Sequence, residues 1–131
     1  RRLIIGEEAE TAVREVENVI EELRKKDPEI EARVELTESK VEPMEISEEE
    51  EVVKCLKRAF EAATGFEPIV SGFAACCDAH LLVNDAKIPT AIFGPGKLEL
   101  SHIIDEYIEI EQVVTAAKTY AMLAIQCLGS A

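Results

Sequence analysis

The chain has only two histidines, His80 and His102, and each stands among other chemically capable groups. His102 follows the glycine-proline loop Phe93-Gly94-Pro95-Gly96 and precedes Asp105 and Glu106 by three and four residues. A lone imidazole in that setting has two readings. It is an ordinary loop histidine bonded to backbone or carboxylate. Alternatively, it ligates a metal such as zinc while a nearby acid orients its second ring nitrogen. A protein metal site takes about three or four ligands. This segment offers one firm candidate, so no site is complete locally.

The second cluster is Cys76-Cys77-Asp78-Ala79-His80. Three readings stand here. Adjacent cysteines are poorly placed to share one ion, and the spacing to His80 matches no standard zinc motif. A nucleophilic Cys77 with His80 as its base is a second reading. The third, which the small residues from Ser71 to Ala79 favour, is a close-packed turn lining a pocket. The sequence contains no serine-nucleophile elbow, phosphate loop or dinucleotide fingerprint.

These groups need elements to hold them. Thr90 to Phe93 is a continuous apolar run, the pattern of a strand inside a parallel sheet. Gly94 and Gly96 permit tight backbone turns, and Pro95 stiffens the loop between them. From Ile110 to Leu128 a helix is predicted, with Val113, Val114, Ala117, Tyr120, Ala121, Ala124, Ile125 and Leu128 as a broad apolar face. Gly129 ends it. A preceding helix opens at Ser47 and Glu50, spaced as a capping box. It turns Val52, Val53, Leu56, Ala59, Phe60 and Ala63 inward and closes at Thr64-Gly65. Cys55 sits near that inward face as a small hydrophobe. Ile69-Val70 is a short strand candidate, and a helical turn is predicted from about Asp78 to Val83.

The N-terminal part reads strand, helix, strand. Residues 1–5 form the first strand, ended by Gly6. Val13, Val16, Ile20 and Leu23 recur at helical spacing, and Asp27-Pro28 stops that helix. Residues 31–36 alternate, with Ala32, Val34 and Leu36 on one face. Together these read as half of a ferredoxin-like layer. The chain opens as if in mid-strand and without methionine, which suggests a fragment or a processed product. Both halves look incomplete as sheets, so open strand edges invite self-association.

Composition narrows the function class. Apolar residues make up 47 %, enough for a core, and 27 acids against 14 bases give a net charge of −13. Such a chain repels nucleic acid and anionic membrane. The acids between Glu7 and Glu35 and at Glu48 to Glu51 read as solvated helix faces. No apolar run reaches the roughly 18 residues of a membrane span, and no signal-peptide pattern is seen. The four cysteines lack paired spacing, which points to reduced thiols in a cytoplasmic protein.

The motifs also match a family from end to end. Phe93-Gly94-Pro95-Gly96 followed by Ser101-His102-Ile103-Ile104-Asp105-Glu106-Tyr107-Ile108 resembles the C-terminal signature of the M20 metallopeptidases, the acetylornithine deacetylase, succinyl-diaminopimelate desuccinylase and carboxypeptidase G2 group. Cys77-Asp78-Ala79-His80-Leu81 resembles that family's TDAR-type turn, and Ile88-Pro89 resembles the step before its last strand. Arg1-Arg2-Leu3-Ile4-Ile5-Gly6-Glu7-Glu8 resembles the strand-to-helix step of its inserted lid domain.

What the resemblance implies is a two-zinc hydrolase that cleaves the amide bond of an N-acyl amino acid or small peptide. In such enzymes a metal-activated water attacks the carbonyl and a glutamate is the general base. His102 falls on the last metal ligand. Cys76, Cys77, Asp78 and His80, with Gly94 and Gly96, fall on substrate-lining segments. Residues 1–46 fall on the second half of a ferredoxin-like lid and dimerisation domain, and 47–131 on the C-terminal part of the catalytic α/β domain. The expected fold is thus α/β: an α+β lid half plus part of a mixed α/β zinc-hydrolase sheet. The family's remaining ligands and its base have no counterpart here, so the chain alone is expected to be inactive. The position of the family's threonine holds Cys77, and that of its arginine holds His80, a weaker and pH-dependent carboxylate partner. The alternative is a non-catalytic dimerising module derived from the same fold.

Overall fold

The computed structural model describes residues 3–36 and 41–129. The chain divides into two compact units, Arg1–Glu45 and Ile46–Ala131.

The first unit is built on α1, Ala9–Lys26. Its apolar residues recur at helical spacing, Glu10 lies in its first turn, and Arg24, Lys25 and Lys26 lie in its last, as the helix dipole favours. Asp27 leaves the helix with an extended backbone, and its N–H closes on the Leu23 carbonyl at 2.9 Å. The Asp27 carboxylate accepts the Glu29 N–H at 3.0 Å, making the turn at Pro28. No residue of α1 is buried: Val16, Val19 and Leu23 all remain exposed.

The second unit is built on two packed helices, α2 (Glu51–Thr64) and α3 (Ile110–Leu128). Cys55 near the start of α2 interacts electrostatically with Cys127 near the end of α3, while Phe60 and Tyr120 both edge onto Phe93 further in. The helices therefore run in opposite senses. The buried positions are small: Val53, Cys55 and Ala59 from α2, Ala116 and Thr119 from α3, and Ala79 from the intervening turn. Thr119 is fully buried and satisfies its hydroxyl on the Thr115 carbonyl at 2.9 Å. The start of α2 is braced by Lys54–Glu49 at 2.8 Å and Arg58–Glu51 at 3.0 Å. Hydrogen bonding to Lys54 and Arg58 lowers the pKa of the Glu49 and Glu51 carboxyls. A hydrogen bond to Cys127, then burial, then Glu51, pushes the Cys55 thiol up to about 11.

Several expectations are corrected. The α/β reading fails: among the described residues no strand pairs with another, and the elements are helices joined by turns and irregular segments. Neither the ferredoxin-like half nor the partial mixed sheet is present there. Residues 1 and 2 of the first expected strand lie outside the described residues, and Ile5 and Gly6 form a turn, Gly6 at φ +85°. Residues 31–36, 69–70 and 90–93 carry no strand pairing. A strand exists only beside a partner, and side-chain alternation reports a face without reporting a neighbour. Side chains take the backbone groups instead. Arg24 donates to the Ile30 carbonyl at 3.3 Å and also to the Ala32 carbonyl.

The capping box is also altered. The Ser47 hydroxyl accepts the Glu49 N–H at 3.1 Å one turn early, and Glu50 caps α2 with no side-chain bond. On α3 the predicted apolar face is not the buried one. Val113, Val114, Tyr120 and Ile125 are exposed, and the helix packs through the Ala116 and Thr119 stripe. The helical turn predicted after Asp78 is found as a wide π-type turn, Leu81–Asp85, with the Ala86 N–H reaching the Leu81 carbonyl at 3.0 Å.

Candidate functional site

The loop from Phe93 to Glu109 is held from α3 at two points. The Tyr120 hydroxyl donates to the Phe93 carbonyl at 2.6 Å, and the Gly96 N–H donates to the Gln112 side-chain oxygen at 2.8 Å. Between them the chain passes Gly94 and Pro95. Gly96 sits at φ +101° with the Ile108 side chain 3.7 Å from where a Cβ would be, so the position favours glycine on backbone grounds. A short 3₁₀ turn, Leu98–Leu100, then leads to Ser101, whose hydroxyl donates to the Leu98 carbonyl.

His102 follows in a left-handed conformation, φ +63°. That backbone is uncommon for a residue with a side chain. Its N–H donates to the Glu106 carboxylate at 2.9 Å, which closes a five-residue loop and holds the conformation. His102 and Asp105 are both exposed. The acid nearest in function therefore binds the backbone of His102, not its ring.

A recess of about 60 Å³ lies between Gly96, Lys97 and Leu100 on one side and Tyr107, Ile108 and Gln112 on the other. Ligand pockets usually run to about 300–1,000 Å³, so it has room for a small polar group and not for a whole substrate. None of Cys76, Cys77, Asp78 or His80 lines it.

The Cys76–His80 turn is organised by its own backbone. His80 Nδ1 donates to the Cys77 carbonyl at 2.8 Å, so Nδ1 carries a proton. The Leu81 N–H closes on the Asp78 carbonyl at 3.0 Å. Cys76 and Asp78 are exposed, Cys77 and His80 half-buried. Here His80 pins the main chain of Cys77, which is the geometry of a fixed turn. All four cysteines are free thiols.

Among the described residues, no group of three or more His, Cys, Asp or Glu side chains is placed to hold a metal ion. His102 offers one imidazole donor, and the donor set is otherwise incomplete. No described helix is long and apolar enough to cross a membrane. Sequence reasoning missed Gln112 and Tyr120, which fix the loop from a distance, and the role of Glu106 as a backbone cap. The spacing of Glu106, four residues past His102, was the only visible signal.

Comparison with known proteins adds an independent line. The sequence model of Peptidase family M20/M25/M40 matches residues 2–126. An N-formyl-4-amino-5-aminomethyl-2-methylpyrimidine deformylase of Halalkalibacterium halodurans is 39% identical over 75 residues, 57% of this chain and 17% of that protein. A Pyrobaculum aerophilum protein provisionally named LysW-lysine/LysW-ornithine hydrolase is 41% identical over 88 residues, 67% of this chain and 25% of its own length. The LysW-lysine/LysW-ornithine hydrolase of Sulfurisphaera tokodaii is 30% identical over 80 residues, 61% of this chain and 22% of that protein. The matched part thus spans a quarter or less of each relative. No solved structure matches.

Proposed function

Because this chain belongs to Peptidase family M20/M25/M40, we propose that it forms part of a zinc-dependent amidohydrolase acting on N-acyl amino acids or small peptides. The relatives named as a deformylase and as LysW-lysine/LysW-ornithine hydrolases support hydrolysis of a small amide. One observation carries the site reading: an exposed imidazole on His102, held at φ +63° by the Glu106 carboxylate, where the family signature has its last metal ligand. When bound, the metal supplies an activated water for attack on the amide carbonyl.

This chain's own residues have narrower roles. His102 is one metal donor. Gly94 and Gly96 let the substrate approach the backbone, and Cys76, Cys77, Asp78 and His80 form a second substrate-facing wall. The family's remaining metal ligands and its base have no counterpart in this sequence, and on that ground the reading takes the chain alone to be inactive. The exposed apolar face of α3, with Ile110, Val113 and Ile125, supports packing within a larger catalytic body. A cytoplasmic setting is supported by the four unbridged thiols.

The test uses the chain with zinc. Its His102 ring resonances should shift on titration and fail to do so in His102→Ala, with no turnover of N-formyl or N-acetyl amino acids. Turnover by the chain alone overturns the claim of incompleteness. An unmoved His102 ring at saturating zinc overturns the ligand role.

A second reading, a non-catalytic self-associating module, is favoured by α1, which buries none of its residues and leaves Val16, Val19 and Leu23 exposed. Sedimentation separates the two: concentration-dependent dimers support it, and a monomer at all concentrations removes it.

A further inference from the structure

Gly94-Pro95-Gly96 carries two backbone donors, because Pro95 has no N–H, and the structure treats the two differently. The Gly96 N–H is engaged by the Gln112 side-chain oxygen at 2.8 Å. Gly96 also turns at φ +101° with the Ile108 side chain over the place of a Cβ, so this glycine serves the turn. The Gly94 N–H bonds no group among the described residues. Gly94 is exposed, and a Cβ placed on it meets nothing within 4 Å. The direction of its N–H is set from the other side of the same peptide unit. The Phe93 carbonyl and the Gly94 N–H lie in one trans plane and point opposite ways. The Tyr120 hydroxyl holds that carbonyl at 2.6 Å, and the Phe93 ring is met edge-on by Phe60 and Tyr120 at 6.0 and 5.5 Å. With the carbonyl tied to Tyr120, the Gly94 N–H points away from that hydroxyl.

We propose, resting on the amidohydrolase reading, that the Gly94 N–H is the loop's substrate donor, bonding the carbonyl oxygen of a bound amide, and that Tyr120 is the positioning residue that aims it. The substrate-facing role of the loop thereby narrows to Gly94, while Gly96 and Gln112 hold its shape. A donor already fixed in direction needs no reorientation when the ligand arrives. The absence of a Cβ at Gly94 leaves the backbone open to close approach. Phe93 to Gly96 supplies one free, uncharged N–H and no forked cation. That suits a neutral carbonyl oxygen, whereas a carboxylate is held best by paired, charged donors. Tyr120 touches no substrate in this arrangement and acts only through the Phe93–Gly94 peptide.

The test is amide NMR of the whole isotope-labelled chain without metal, titrated with N-acetylglycinamide and, separately, with acetate. The Gly94 N–H resonance should move with N-acetylglycinamide and stay in place with acetate, while that of Gly96 stays in place with both. In Tyr120→Phe, which keeps the ring and removes the hydroxyl, the movement at Gly94 should fall severalfold. Gly94→Ala adds a methyl where nothing lies within 4 Å, so the unfolding temperature should hold while the movement falls. The proposal is overturned if Gly94 does not respond to the amide, if Gly96 responds in its place, or if acetate moves Gly94 as far. An undiminished response in Tyr120→Phe overturns the positioning role. No zinc enters these titrations, so they stand apart from the His102 experiment. A silent Gly94 beside a zinc-responsive His102 removes this assignment and leaves the amidohydrolase reading, and the converse pair of results does the opposite.

Discussion

The Tyr120 hydroxyl donates a 2.6 Å hydrogen bond to the Phe93 carbonyl, while its ring meets the Phe93 ring edge-on at 5.5 Å. Phe93 in turn meets Phe60 edge-on at 6.0 Å. Three aromatic side chains from α2, the loop entry and α3 are thus coupled in a row, and the hydrogen bond fixes the last residue before Gly94. Tyr120→Phe keeps the ring contacts and removes only that bond. It should cost about 1 kcal/mol in chemical denaturation. Tyr120→Ala loses the ring contact as well and should cost more, by about 0.5–1.5 kcal/mol for the aromatic pair alone. Equal losses in the two variants would show that the hydroxyl carries the whole effect.

The reach of sequence reasoning follows from the same row. Helix α3 was legible to its ends, because a long apolar periodicity between Glu109 and Gly129 has few alternatives. So was the loop, since Gly94-Pro95-Gly96 admits little else. The strands were not legible, because Thr90 to Phe93 is apolar enough for a buried strand but nothing described lies beside it to complete a ladder. Tyr120 bonds the Phe93 carbonyl and Gln112 the Gly96 N–H, 27 and 16 residues further along the chain from the groups they bind. No local pattern announces such pairs. The buried face of α3 was misread for a related reason. Ala116 and Thr119 fit closely against α2, while the larger Val113 and Ile125 remain outside.

The Gly96 N–H depends on the Gln112 side chain, and Gly96 itself depends on a positive φ. Gln112→Ala should cost about 0.5–1.5 kcal/mol, the net worth of one such hydrogen bond. Gly96→Ala should cost roughly 1–2 kcal/mol through its left-handed backbone, since the added Cβ meets only ordinary contact with Ile108. Amide hydrogen exchange checks both. Exchange at Gly96 should accelerate in Gln112→Ala, with the α2–α3 interior unchanged.

His102 occupies a backbone that glycine adopts more readily. His102→Gly should therefore stabilise the chain or leave it unchanged, gaining up to about 1–2 kcal/mol from relief of the left-handed penalty. It should at the same time abolish the zinc-dependent changes assigned to this loop. Glu106→Ala should do the reverse. It keeps the imidazole but releases the His102 N–H, so zinc binding should weaken while thermal stability changes by no more than about 1 kcal/mol. Parallel calorimetric titration and thermal melts separate the two roles. A His102→Gly variant clearly less stable than the parent would mean that the residue is held there for packing.

The pH dependence of the α2–α3 pair should carry the mark of Cys55. Its thiol is raised from 9.0 to about 11 by the hydrogen bond to Cys127, by burial and by Glu51. The folded state therefore binds this proton more tightly than the unfolded state does. The resulting stability is fully present below about pH 9 and is lost as pH climbs through about 11. At the acid end the sign reverses for Glu51, whose carboxyl is lowered first by its hydrogen bond to Arg58. That contribution is present above the ordinary glutamate pKa and is lost as pH falls through the lowered value. Denaturation midpoints measured across the alkaline range should fall in the parent chain. They should fall less in Cys127→Ala, which removes the largest cause of the shift while keeping the Cys55 thiol buried. If the two alkaline profiles coincide, the Cys55–Cys127 contact is not what holds the proton.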